Sequence, residues 1–225
     1  ASVGTVARRA PSLSSWRRSP VGELAETDLN LEEFASERPG RGYNEIADTR
    51  AATAADGYTL TVANDTTPLR LVAAGGKETQ VIVGKGRLGL RRPPAILQRR
   101  RADRSVWANV LDYSGKGVVR SVQQSGSLED GYALAEIETR DGIDLIFVSY
   151  SPGMHQVRQA SGFRTDAQQA FVIPNGPRVT GACLGGGTQL QLEDFELNRD
   201  QPGPAFVEQA ETSAYIVRNP SPGEG

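Results

Sequence analysis

The sequence predicts an all-β protein, an antiparallel β-sandwich preceded by a poorly regular N-terminal arm. Three observations carry this prediction. AILQRRR, SVWANVLDY, GVVRSVQQS, GYALAEIET and IDLIFVSY follow one another between Ala95 and Tyr150, each short, rich in β-forming residues and bounded by a turn. Strands spaced roughly 8–12 residues apart are the mark of an antiparallel sandwich or barrel. The 25 Gly and 13 Pro among 225 residues supply the many turns such a fold needs. No series of amphipathic helices is present.

Along the chain, residues 1–55 differ from the rest, being charged and weakly apolar. Glu23 to Phe34 reads as a short helix with Leu24, Leu29, Leu31 and Phe34 inward, or, since that periodicity is poor, as part of an extended arm hugging the surface. Trp16 is expected to anchor the arm. From Asp56-Gly57 the texture changes. YTLTVAN sets Tyr58, Leu60 and Val62 against Thr59 and Thr61, the alternation of a half-buried strand. LRLVAA, the Gly75-Gly76 turn and TQVIVG follow. Arg87 to Pro94 is a basic, proline-containing connection, and the five-strand block comes next, with Ser114-Gly115 and Asp141-Gly142 as turns. SPGMHQVRQASG reads as a loop. QAFVIP, RVTGACL, TQLQLEDFEL, AFVEQ and SAYIVR are the closing strands, divided by Asn175-Gly176 and by Gly185-Gly186-Gly187. One sandwich is thus expected over residues 56–218, with a frayed tail at 219–225.

Composition narrows the function classes. A chain of this length hides roughly 70% of its unfolded surface, although only 38% of its residues are hydrophobic. The net charge of −2 carries no global field for nucleic acid. A single cysteine, Cys183, permits no disulfide within the chain and is expected to be a small buried hydrophobe. A single histidine, His155, excludes a His-rich zinc site. No stretch approaches the ~20 apolar residues of a spanning helix, so no membrane partner is expected. The first residues lack the apolar run of a signal peptide, and the absent initiator Met is what a processed or excised piece would show. Neither a cofactor nor a metal is expected.

Residues 77–107, 106–150 (VWANVLDYSGKGVVRSV through GIDLIFVSY) and 163–197 (FRTDAQQAFVIPNGPRVTGACLGGGTQLQLEDFEL) together resemble the C-terminal β-sheet region of heparinase II/III-like polysaccharide lyases, a group that includes alginate lyases. The resemblance spans roughly residues 57–197. It implies a secreted or periplasmic protein that acts on an acidic, uronate-containing polysaccharide. In that family an (α/α) toroid precedes the β-sheet domains, and Tyr and His remove the C5 proton of a uronate before the C4 substituent leaves. The toroid is absent from this chain, as is the family's HxHAD-like passage, so no catalytic residue is carried over. The expected role is a scaffold or a wall of the substrate channel. The partners are then the acidic polysaccharide and the catalytic part of the same lyase or of another chain. A non-catalytic carbohydrate-binding or structural subunit is the alternative.

Candidate contacts with such a polymer come from the densest charge feature, Arg87, Arg91, Arg92, Arg99, Arg100, Arg101 and Arg104. Guanidinium forks pair bidentately with carboxylate or sulfate. On a strand Arg99 and Arg101 share a face and Arg100 takes the other. A solvated strand face is the plainer alternative. Trp107 offers a ring for a sugar, or else packing at a strand edge. His155, beside Arg158, is a candidate contact, or more simply an exposed loop histidine. The expected substrate-binding set is therefore Arg91, Arg99, Arg101, Arg104, Trp107 and His155. Gly185-Gly186-Gly187 lacks the Lys-Ser/Thr and helix of a phosphate loop and reads as a turn. Glu193, Asp194 and Glu196 alternate across a strand, so a solvated strand end is preferred to a calcium site.

Overall fold

The computed structural model describes residues 23–34, 46–63, 67–87, 92–102, 104–157, 160, 162–176, 178–211 and 214–218. All the described secondary structure is strand, and every described pairing is antiparallel. The all-β expectation therefore holds. The described chain divides into two compact units where one sandwich over 56–218 was expected; 23–102 with 107–122 form the first, 104–106 with 123–218 the second.

The first unit contains two four-stranded sheets. One orders β1 (Glu23–Thr27), β4 (Tyr58–Ala63), β5 (Leu69–Ala73) and β8 (Asn109–Asp112); the other orders β2 (Glu32–Glu33), β3 (Ile46–Thr53), β6 (Gln80–Gly86) and β7 (Pro94–Arg99). The expected alternation of YTLTVAN is met, with Tyr58 and Leu60 buried. They join Ala54, Ala73, Val81 and Val83 in one core, against which Leu24, Leu29, Leu31 and Ile96 pack. The expected helix or irregular arm over 23–34 is corrected by this: Leu24, Leu29 and Leu31 do face inward, but from strands and their turn. The tertiary core outweighs the weak local helical pattern. Asp28 fixes the turn after β1 by accepting the Thr59 N–H at 2.9 Å. Trp16 lies outside the described residues.

A polar bridge links the two sheets at one end. Gln98 on β7 and Asn109 on β8 exchange amide hydrogen bonds of 3.0 and 2.8 Å, and Gln98 also donates to the Tyr58 hydroxyl. Burial pushes the Tyr58 pKa up to about 12, with the Gln98 hydrogen bond and the nearby Arg100 charge opposing it. Buried polar atoms are tolerated when paired in this way. Where β8 ends, the Asp112 carboxylate accepts from the Ser114 and Val119 N–H groups at 2.9 and 3.2 Å.

The second unit is a single nine-stranded sheet that curls into a half-barrel. Its order is β12 (His155–Gln156), β13 (Arg164–Thr165), β15 (Arg178–Leu192), β14 (Gln169–Asn175), β11 (Ile143–Ser149), β10 (Tyr132–Thr139) and β9 (Val119–Ser125), with β16 (Phe195–Glu211) beside β15 and β17 (Ala214–Arg218) beside β16. The chain passes from one unit to the other within β9. Across the inner face, register aligns Leu134, Phe147, Ala170, Leu184 and Ala205 in one row. All five are buried and belong to one core with Val157, Phe163 and Leu190. The Asp141-Gly142 turn closes β10–β11 as expected, with Thr139 N–H bonded to the Gly142 carbonyl at 2.7 Å.

Gly185-Gly186-Gly187 is not a turn between strands. It lies inside β15, where the ladder to β16 shifts register at Gly187. Below the bulge β15 pairs with β14, above it with β13. A Cβ at Gly187 would stand 2.5 Å from the Ala167 Cα, so only glycine lets the chains approach this closely. Asp166 ties the junction by accepting from the N–H groups of Thr188 and Gln189 at 2.8 and 2.7 Å. Burial alone would raise its pKa, but the Thr188 and Gln189 hydrogen bonds outweigh this and hold it below the ordinary carboxylate range. Asp112 is held low by the same balance.

Gly187→Ala is expected to destabilise the protein by about 1–3 kcal/mol through overpacking. Gly181→Ala on the same strand, whose Cβ would meet Ile173 side-chain carbons and the Val207 carbonyl at ordinary distances, 3.4 Å for the nearest, should cost far less; urea unfolding of both variants checks this. Asp112 and Asp166 have depressed folded-state pKa values, so their contribution is present above the unfolded value of about 3.9 and lost as pH falls through and below it. Asp166→Asn should flatten that loss in an acid series of thermal unfolding curves.

Candidate functional site

The core of the first unit runs out at one end, and charge takes its place. On the inner face of the β2-β3-β6-β7 sheet, successive cross-strand rows read Gln98–Val81–Ala52, then Ile96–Val83–Arg50–Glu33, then Pro94–Lys85–Ala47. The face thus changes from Val81 and Val83, both buried, to Arg50 and Lys85. Just beyond Arg50, a bulge between Ala47 and Arg50 sets Ala47 opposite Lys85, with Asp48 in the left-handed region at φ 53°. Bulges at sheet rims re-aim side chains in this manner.

The result is an open groove of about 1070 Å³. Leu24, Phe34, Pro94 and Ile96 give it apolar walls, and Arg50, Lys85 and Arg92 give it cations. Two acids share the lining. Asp48 pairs with Lys85 at 3.2 Å, and Glu33 stands directly across the strands from Arg50. Arg92 has no such acid opposite it among the lining residues. At the border, the Arg99 guanidinium lies 5.3 Å from the centre of the Phe34 ring and donates to Gln80 Oε1. A cation held against a ring and an amide is presented in a fixed position, not swept through solvent.

The expected contact residues are distributed differently from the sequence reading. Arg91 lies outside the described residues. Arg99 and Arg101 are exposed, and Arg99 alone reaches the groove border. Arg104 is exposed and groups with the second unit. Trp107 is half-buried beneath the Arg100 guanidinium, 4.2 Å from its ring centre. Arg100 also donates to Thr79 Oγ1 at 2.9 Å and to the Gly75 carbonyl at 2.8 Å. Trp107 and Arg100 therefore close the edge of the unit, which is the packing alternative for this ring. Arg50 and Lys85 escaped the sequence reading because each stands alone in its own strand, and only β3–β6 register brings them together.

His155 is corrected outright. It is 9% exposed and lies in the second unit, on the short strand β12, with its ring 5.6 Å from that of Tyr132 and 5.7 Å from that of Phe147. Its Nε2 is 3.0 Å from the Ser151 carbonyl and 2.9 Å from Ser149 Oγ. Ser149 Oγ also donates to the Ser151 carbonyl. That carbonyl can only accept, so the network assigns Nε2 as the donor. That tautomer leaves the ring's lone pair on Nδ1. An imidazole can bury its ring against aromatics when its N–H is paired, which a loop reading from polar neighbours does not anticipate.

Among the described residues, no group of three or more His, Cys, Asp and Glu side chains is arranged to hold a metal ion. Glu196 is instead bonded by Asn198 Nδ2 at 2.8 Å, and Cys183 is half-buried with burial raising its thiol pKa. No known family, curated protein or solved structure matches the chain. Fold and site define an all-β protein with a cationic groove at the open end of a sandwich.

His155→Phe is expected to remove the tie to Ser149 and Ser151 and to lower stability by about 1–3 kcal/mol. Binding of anionic oligosaccharides should be unchanged in that variant, as thermal unfolding and calorimetric titration would show.

Proposed function

We propose that this chain is the C-terminal β-region of a heparinase II/III-like lyase, secreted or periplasmic, which holds an acidic, uronate-containing polysaccharide and leaves its cleavage to catalytic parts outside this sequence. The groove at the end of the first unit is the observation that carries the reading. A uronate polymer repeats a carboxylate along a chain of rings with apolar faces. Arg50, Lys85 and Arg92 supply planar or point cations for the carboxylates, while Phe34, Pro94 and Ile96 supply apolar surface. The volume lies at the upper end of ligand pockets, about 300–1,000 Å³, and suits a short oligosaccharide.

The chemistry of elimination finds less support in the residues. A lyase must take a proton from C5, and the one imidazole of the chain is buried against Tyr132 and Phe147 in the second unit, whereas the groove belongs to the first. Tyr58, the tyrosine with the largest displacement, is pushed up to about 12, away from a working base. The same groove also suits a carbohydrate-binding subunit that never carried a catalytic part. The two readings differ in whether a catalytic portion is joined to this chain.

The chain alone should bind uronate oligosaccharides and release no unsaturated uronate from them. Arg50→Gln with Arg92→Gln should weaken binding by about tenfold, roughly one charge-assisted hydrogen bond in total, whereas Arg101→Gln should change it little. Raising salt should weaken the wild type further. Equal binding of neutral oligosaccharides of the same length, measured by calorimetry, would sink the reading.

A further inference from the structure

The half-barrel of the second unit has a recess of its own, about 420 Å³ in volume. Its position follows from the register. On the inner face, the row Glu136–Leu145–Val172 lies one step beyond the row of Leu134 and Phe147. Leu145 and Val172 are buried. Glu136 therefore continues an apolar face with a carboxylate, and the sheet curls until Val179 and Leu192, from opposite ends of β15, line the same recess. The mouths of β-barrels are preferred places for small ligands because the floor is already apolar and dry.

Glu136 is the anomaly of this recess. It is half-buried, and among the described residues neither a hydrogen bond nor an ion pair satisfies it. Burial raises its pKa, with no other cause opposing. A carboxylate drawn out of water without a partner is costly, and the cost is relieved when a cation arrives. The rest of the rim has the same sign. Asp141 and Glu193 flank the recess, and among the described residues Arg178 is the one cation lining it. Asp166 and Asp112, by contrast, are carboxylates whose oxygens accept several backbone N–H groups. Unlike Glu136, they are accounted for by the fold.

We propose that this recess binds an organic cation, a primary ammonium carried on a compact apolar body, with the ammonium at Glu136 and the body against Leu145, Val179 and Leu192. Three acids against one base select the charge, and the apolar floor selects against small hydrated cations that bring no surface to bury. The site is independent of the polysaccharide groove, which lies in the other unit and carries the opposite preference.

The test uses the whole chain and three probes of one shape: benzylamine, benzyl alcohol and phenylacetate. Backbone-amide NMR follows Glu136, Ile143, Leu145 and Val179 during each titration. Benzylamine should shift these amides with a millimolar Kd, and the neutral and anionic probes should bind about tenfold more weakly or not at all. Glu136→Gln should reduce benzylamine binding by about tenfold, and Arg178→Gln should strengthen it several-fold by removing the repelling charge. Equal binding of all three probes, no shifts with any of them, or undiminished binding by Glu136→Gln would overturn the proposal. If Glu136→Gln does not fold, the probe series on the wild-type chain decides.

Discussion

The second unit depends on one close approach, Gly187 of β15 against Ala167. Fifteen residues of β15 serve two partners on the same side, β14 first and β13 after the bulge. β13 and β14 run in line along that edge, joined by three residues, Asp166 to Gln168, with their pairing to β15 offset by one residue. The ladder must shift, and the shift brings backbone against backbone at a distance where a Cβ would collide. Asp166 then locks the junction with its carboxylate, using backbone N–H groups that the bulge has turned away from strand partners. The curl that encloses Phe147, Phe163 and Leu190 is a consequence of that junction.

The same logic places the groove in the first unit. Its two sheets are closed by a polar bridge, Tyr58–Gln98–Asn109, at one end, and by a change from valine to charge at the other. Asp48, at φ 53°, accepts backbone strain that few aspartates adopt outside turns. It lies at the register shift just beyond Arg50, which itself stands beside Val83 and Ile96 in the regular ladder. Strain at a site rim is a recurrent feature of binding surfaces, and here it coincides with the stretch of that inner face that carries cations among the described residues.

Much of the fold was legible because strand signals are local. The alternation of Tyr58, Leu60 and Val62 and the turn at Asp141-Gly142 need no distant partner to be read, and both are present. Gly185-Gly186-Gly187 misled because glycine marks a turn and a bulge with the same letters. Only the partner strand distinguishes them. Glu23 to Phe34 misled for the converse reason: its leucines face a core, but the core that turns them into strands comes from Val81 and Val83, some fifty residues on. The site was less legible still. Arginine density drew attention to β7, where Arg100 turns out to cover Trp107, while the groove cations Arg50 and Lys85 sit singly in their strands. Charge density along a chain reports solvation; charge convergence needs register.

The near-zero net charge of the chain hides two local fields of opposite sign. Were recognition driven by long-range attraction, a net charge of −2 would repel an acidic polymer weakly at every approach. Screening removes that objection, since beyond about 8–10 Å at physiological salt the protein's total charge is hardly felt. What a carboxylate meets inside the groove is Arg92, Arg50 with Glu33 across from it, and Lys85 already paired to Asp48. Arg50 and Lys85, partly compensated by Glu33 and Asp48, attract modestly and hold their geometry, and Arg92 adds a cation with no acid opposite it among the described lining residues. Affinity at such a surface comes from repetition along a polymer more than from any single contact. The proposed retention of a long anionic polymer would draw on such a surface, which is poorly suited to gripping one small anion tightly.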